Sequence, residues 1–143
     1  MDIKVVYPDK SEQTFSAGLT VGEALGCWKK DELDGAVAAK VNSVAVDLST
    51  PLTADAVVVP VSVSSKEGLA ILRHSTSHVM AQAVQDVFKG AKVAIGPSIE
   101  DGFYYDFEYS QTFTLDDFEK IEKRMKEIVA ADASFVREEL SRE

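Results

Sequence analysis

A single capped helix set between two candidate hairpins constrains this chain more than any other feature. Thr20 followed three residues later by Glu23 forms a T-x-x-E capping box. Val21, Ala24, Leu25 and Trp28 then mark one apolar stripe on a short helix. Before it, Ile3 to Val6 and Gln13 to Ser16 read as strands joined through Pro8-Asp9-Lys10-Ser11, where proline fixes φ and aspartate bonds the backbone ahead of it. After it, Ala36 to Val41 and Val44 to Val46 pair through Asn42-Ser43, with serine where a two-residue hairpin favours glycine. Asp47 to Leu52 is an irregular connection, and Val57 to Val61 is a last apolar strand. A lone helix has to bury its stripe, and these strands offer it one sheet face. Residues 1–62 are therefore predicted to form a ubiquitin-like β-grasp domain, and the fold class is α+β.

Residues 63–68 are polar and read as a linker. A helix is predicted from Leu69 to Lys89, stopped by Gly90, with Leu69, Leu72, Thr76, Val79, Ala83 and Val87 facing inward. Both histidines, His74 and His78, fall nearly opposite that stripe, among Ile71, Ser75, Ala81 and Gln85. Lys92 to Ile95 reads as a strand and Asp101-Gly102 as a hairpin turn. Phe103, Tyr105, Phe107 and Tyr109 then alternate with Tyr104, Asp106 and Glu108, the period of a strand. Tyr105 carries a hydroxyl that needs a partner if buried. Thr114 with Asp117 caps a second helix running to Ala131, with Phe118, Ile121, Met125 and Ile128 inward and the pairs Glu119–Lys123 and Glu122–Lys126 outward. Ser134 to Val136 begins a further strand ahead of the charged tail Arg137–Glu143.

Composition removes several function classes. The net charge of −9 is spread over both halves, and no basic block supplies a nucleic-acid footprint. Cys27 is the single cysteine, so there is no disulfide framework and no CxxC metal site; a reducing cytoplasm fits. Met1-Asp2-Ile3-Lys4 does not open a signal peptide, and no apolar run approaches the ~18 residues of a membrane span.

The chemistry concentrates in Arg73-His74-Ser75-Thr76-Ser77-His78. Four residues is one helical turn, so the two imidazoles project side by side, about 40° apart around the axis. Such a pair can hold a metal, order a water or grip a ribose hydroxyl; it can equally be two polar residues on a wet helix face. A zinc hydrolase of the H-E-x-x-H type needs glutamate after the first histidine, and Ser75 stands there. Two histidines supply half of a zinc centre, and the visible carboxylates, Asp106 among them, are candidates only.

Tyr7-Pro8-Asp9, Thr20-Val21, Ala38-Ala39-Lys40-Val41-Asn42 and Val46-Asp47-Leu48 resemble the TGS domain. Arg73 to His78, Ala94-Ile95-Gly96-Pro97-Ser98-Ile99-Glu100-Asp101-Gly102-Phe103-Tyr104-Tyr105-Asp106 and Glu122-Lys123-Arg124-Met125-Lys126-Glu127 resemble the second N-terminal domain of threonyl-tRNA synthetases. The departures, Lys10 and Ser43, fall in turns. The resemblance implies a TGS domain over 1–62 and the first part of an incomplete α/β editing domain (long helix, β-hairpin, helix) over 69–143. It implies a parent that attaches threonine to its tRNA with ATP and hydrolyses mischarged seryl-tRNA. His74, His78 and Tyr105 are then the editing-pocket residues, with no cofactor and no metal expected in this piece. ATP, magnesium and zinc belong to the parent's absent core. The expected partner is threonine tRNA, with no membrane; the parent is expected to be a cytoplasmic homodimer through absent domains. The piece itself is expected to be an inactive monomer. A TGS-type RNA- or protein-docking module and a freestanding trans-editing hydrolase are the alternatives.

Overall fold

The computed structural model describes residues 1–142. Met1–Arg73 forms one compact unit and the residues from His74 onward another.

In the first unit, β1 (Asp2–Val6) and β2 (Glu12–Ser16) pair antiparallel, with Ile3 opposite Phe15. β3 (Ala36–Val41) and β4 (Val44–Val46) form the second hairpin. β5 (Ala56–Ser62) lies between the hairpins, parallel to β1 and antiparallel to β3, giving the order β2-β1-β5-β3-β4. First and last strands paired in parallel at the centre of a mixed sheet, with a helix against it, are the β-grasp arrangement. That helix is α1 (Val21–Trp28). The Thr20 N–H donates to Glu23 Oε2 at 2.7 Å and the Glu23 N–H donates back to Thr20 Oγ1 at 3.2 Å, so two otherwise orphaned donors are satisfied. A second helix, α2 (Lys30–Asp34), follows. The sequence KDELD has no apolar stripe to announce it.

The core joins Ile3, Val5 and Tyr7 of β1 and its end to Val21, Ala24 and Leu25 of α1, with Ala39, Leu52, Ala56 and Val58 closing it. Burying a side chain such as Leu25 contributes about 1.5–3 kcal/mol. The Tyr7 hydroxyl donates to the Ala24 carbonyl at 2.9 Å, and its ring stacks on Trp28 at 5.0 Å. Burial, with a smaller contribution from Cys27, pushes the Tyr7 phenol up to about 12. Asp9 is the opposite case: the Ser11 hydroxyl and N–H, then the Trp28 indole and Lys29, hold its carboxyl down at about 2. The stabilisation it provides is present above the ordinary carboxylate range and is lost as pH falls towards 2.

Three non-glycine residues of this unit stand in the left-handed region: Lys10 (φ 70°), Asn42 (φ 49°) and Ser43 (φ 72°). Asparagine tolerates this; lysine and serine do so at a cost. The Asn42 side chain also accepts the Val57 N–H at 2.9 Å. Ser43→Gly and Lys10→Gly are each expected to raise stability by about 0.5–1 kcal/mol, glycine's added freedom in the unfolded chain offsetting part of the gain. Urea titration of each variant measures this, and unchanged midpoints would contradict it.

α3 (Lys66–Val87) starts earlier than the predicted Leu69. Ser65 is the cause. Its hydroxyl accepts the Gly68 N–H at 3.0 Å and donates to the Ser62 carbonyl at 2.6 Å, so the polar stretch that reads as linker includes a helix cap. The inward face also differs from expectation. Ala83 alone of the predicted stripe is buried; Leu69 and Leu72 are exposed and Thr76, Val79 and Val87 are half-buried. Ser77, Ala81 and Val84 line the buried side, a rotation of about 120° at 100° per residue. The expected stripe follows the largest apolar side chains, whereas packing here uses small ones that let neighbouring backbone come close. Ala81, expected beside the histidines on the open face, is buried.

In the second unit β6 (Lys92–Val93) pairs with β9 (Phe107–Glu108), and β7 (Ser98–Ile99) with β8 (Gly102–Phe103). Ile99 faces Gly102, so the turn is Glu100-Asp101 rather than Asp101-Gly102. The alternation holds: Phe103, Tyr105, Phe107 and Tyr109 are half-buried, and Tyr104, Asp106 and Glu108 are exposed. The rings of Tyr105, Phe107 and Tyr109 run on into Phe88 and Phe113 through centroid distances of 5.2 to 6.1 Å.

α4 (Leu115–Ala131) is capped by the Asp117 carboxylate, which accepts the Thr114 N–H at 2.9 Å. Ile121, Met125 and Ile128 are half-buried as expected, but Phe118 is 54% exposed. The ion pairs that form on α4 are i,i+3, Asp117–Lys120 and Arg124–Glu127, in place of the expected i,i+4 pairs; Arg124 Nε also donates to Asp86 Oδ2 of α3 at 2.9 Å. Ser134 to Val136 is not a strand, since it pairs with no strand among the described residues; Phe135 and Val136 are exposed.

Candidate functional site

The two histidines meet because α3 is regular through residues 74–78. Both are exposed. Their Nε2 atoms lie 3.0 Å apart, and the rings stand edge to face, 79° apart in plane with centroids 4.6 Å apart. At that separation one ring supplies an N–H and the other a lone pair. The turn below them is fixed by Ser77, which is fully buried and donates to the His74 carbonyl at 2.6 Å.

Ser77 also reaches the Gly96 carbonyl, at 3.3 Å. Gly96 lies directly under Tyr105: a Cβ built on it would fall 2.0 Å from Tyr105 Cδ2. The structure thus brings His74 and His78 together, and connects Tyr105 to their helix through Gly96 and Ser77. Asp106 is exposed, on the opposite strand face from Tyr105, and its backbone pairs with Ala94 and Ile95. Ser77 and Gly96 were not foreseeable as site residues. A serine among polar neighbours gives no sign of burial, and Gly96-Pro97 reads as the end of a strand.

Beside His78 runs a cleft of about 400 Å³. Ser75, Val79 and Gln82 of α3 form one wall; Ile128, Val129 and residues 132–135 form the other. A hydroxyl-bearing ligand entering it would meet an imidazole at one end and largely apolar walls elsewhere. For a metal the donor set falls short. No group of three or more His, Cys, Asp or Glu side chains able to hold an ion occurs among the described residues, whereas zinc centres use three or four ligands.

No family model matches the chain. Individual relatives do. The threonine–tRNA ligase of Pelodictyon phaeoclathratiforme is 48% identical over 141 residues, covering 98% of this chain and 21% of that enzyme. The threonine–tRNA ligase of Geobacter sp. strain M21 is 45% identical over 140 residues, again 98% of this chain and 22% of that enzyme. Threonine–tRNA ligase 1 of Bacillus subtilis strain 168 is 40% identical over 141 residues, with 99% and 22% covered. The chain belongs to the threonine–tRNA ligase family. It spans about a fifth of the length of the curated ligases it matches. Matches of 140 residues or more take in both compact units, so the histidine turn and Tyr105 lie within the sequence shared with the ligases. No helix among the described residues is long and apolar enough to cross a membrane.

Proposed function

We propose that this chain is the TGS domain (1–62), a linker (63–68) and the first part of the editing domain (from residue 69) of a threonine–tRNA ligase. In this reading the parent joins threonine to its tRNA with ATP, magnesium and zinc in a core outside this chain. It works as a cytoplasmic homodimer, and the piece alone is an inactive monomer. His74, His78 and Tyr105 serve the removal of serine esterified to the threonine tRNA. The observation that supports this reading is the exposed His74–His78 pair beside a cleft, on a chain related over its whole length to ligases.

The physical need is plain. Serine lacks one methyl of threonine, and a site that fits threonine rejects serine by only ~1–3 kcal/mol. A second pocket that admits the smaller residue supplies the remaining discrimination. The imidazoles suit the work at the ester: a neutral ring accepts a proton from water or from a ribose hydroxyl, and its N–H holds the departing oxygen. Tyr105 contributes a hydroxyl.

The test is a deacylation assay on a full-length ligase carrying this chain, with seryl- and threonyl-esters of the same tRNA. The seryl ester is expected to be cleaved at least tenfold faster. Equal rates, or no cleavage of either, would overturn the editing assignment.

A further inference from the structure

We infer that Gly96 is a positioning residue that seats the Tyr105 ring, and that Ser77 ties this seat to the histidine helix. The inference rests on the editing reading above and goes beyond it in naming what orients the tyrosine.

The register carries the argument. The Ala94 N–H donates to the Asp106 carbonyl at 2.9 Å, and the Asp106 N–H donates to the Ile95 carbonyl at 2.7 Å. On the other side the Tyr104 N–H reaches the Pro97 carbonyl at 3.4 Å. Gly96 and Tyr105 therefore face each other across two antiparallel segments. With no Cβ at 96, the ring folds flat over the facing backbone; a Cβ there would lie 2.0, 2.1 and 2.6 Å from Cδ2, Cε2 and Cγ of the tyrosine. Phe107 stacks against the ring at 5.2 Å. The carbonyl of the same glycine lies 3.3 Å from the buried Ser77 Oγ, sharing the one hydroxyl proton that Ser77 gives chiefly to the His74 carbonyl at 2.6 Å. Helix, glycine and ring form one continuous contact.

A methyl group at 96 collides with a side chain rather than with backbone. The cheapest relief is rotation of the ring, not deformation of the fold, and an off-rotamer χ costs only ~0.5–1.5 kcal/mol. Gly96→Ala is therefore expected to leave a folded protein with a misplaced Tyr105.

Two measurements test this. In this chain, the Gly96 Hα resonances are expected upfield, under the ring current of Tyr105, and Tyr105→Ala is expected to return them to ordinary positions. Unshifted resonances would overturn the seat itself, whatever the protein does. In a full-length ligase carrying this chain, Gly96→Ala is expected to lower seryl-tRNA deacylation to the level of Tyr105→Ala, and the double variant to be no worse than either. A further loss in the double variant, or a lowered melting temperature with deacylation intact, would make Gly96 merely structural. If Tyr105→Ala and His78→Ala both leave deacylation intact while the resonances shift as expected, the editing reading fails and the positioning role fails with it; the ring seat alone survives.

Discussion

His78→Ala in a full-length ligase carrying this chain is expected to leave threonylation near normal and let seryl-tRNA accumulate. Deacylation should fall by ~10²–10⁴, the usual contribution of a positioned acid, base or orienting group. The geometry explains why stability should hardly change. His78 is exposed, and the partner it loses is another exposed side chain, His74. Surface changes of this kind fall within about 0.5 kcal/mol. His74→Ala is expected to match it, and the double variant to be little worse than either, since groups acting as a unit lose their effect together. A large drop in melting temperature with intact deacylation would make the pair structural.

The second large effect is on folding, and its sign runs against helix propensity. Gly68 lies inside α3, where alanine ordinarily gains about 1 kcal/mol over glycine. Here a Cβ would fall 1.8 Å from the Ser62 carbonyl oxygen and 2.6 Å from its carbon. That oxygen already accepts the Ser65 N–H at 3.0 Å and the Ser65 hydroxyl at 2.6 Å. Backbone so held has no rotamer to turn away, unlike the ring over Gly96. Gly68→Ala is therefore expected to cost about 3 kcal/mol or more, at or above the upper end of ordinary overpacking. Gly26→Ala is the control: its new methyl would meet only Leu33 Cδ2, at 3.2 Å, a side-chain terminus that can move, and the cost should stay below 1 kcal/mol. Urea unfolding of both variants decides the matter. A stabilised Gly68→Ala would show that the start of α3 moves freely.

How much of this was legible in the sequence follows from the range of the forces involved. The Thr20–Glu23 box and the strands around it act over a few residues, and they stand where their pattern puts them. α2 was hidden because KDELD makes no stripe. Hydrophobic size is a poor guide to the buried face of α3, where Ser77, Ala81 and Val84 are the residues that admit close neighbours. For the site, the four-residue spacing of His74 and His78 was enough to place the rings side by side. The link to Tyr105 runs through Ser77 and Gly96, which are 19 apart in sequence, and no local pattern encodes it.

The 3.0 Å contact between the imidazoles sets a threshold for any ligand. Within the pair each Nε2 already satisfies the other. An arriving molecule that offers a single donor or a single acceptor breaks one hydrogen bond to make one, and gains little. A molecule that bridges the rings, donating to one nitrogen while accepting from the other, replaces one bond with two. A hydroxyl group has both capacities on one atom, and so does water. The pair thus favours amphoteric oxygen over a group that only donates or only accepts, before any other wall of the pocket is consulted. Its preference is settled by competition with itself.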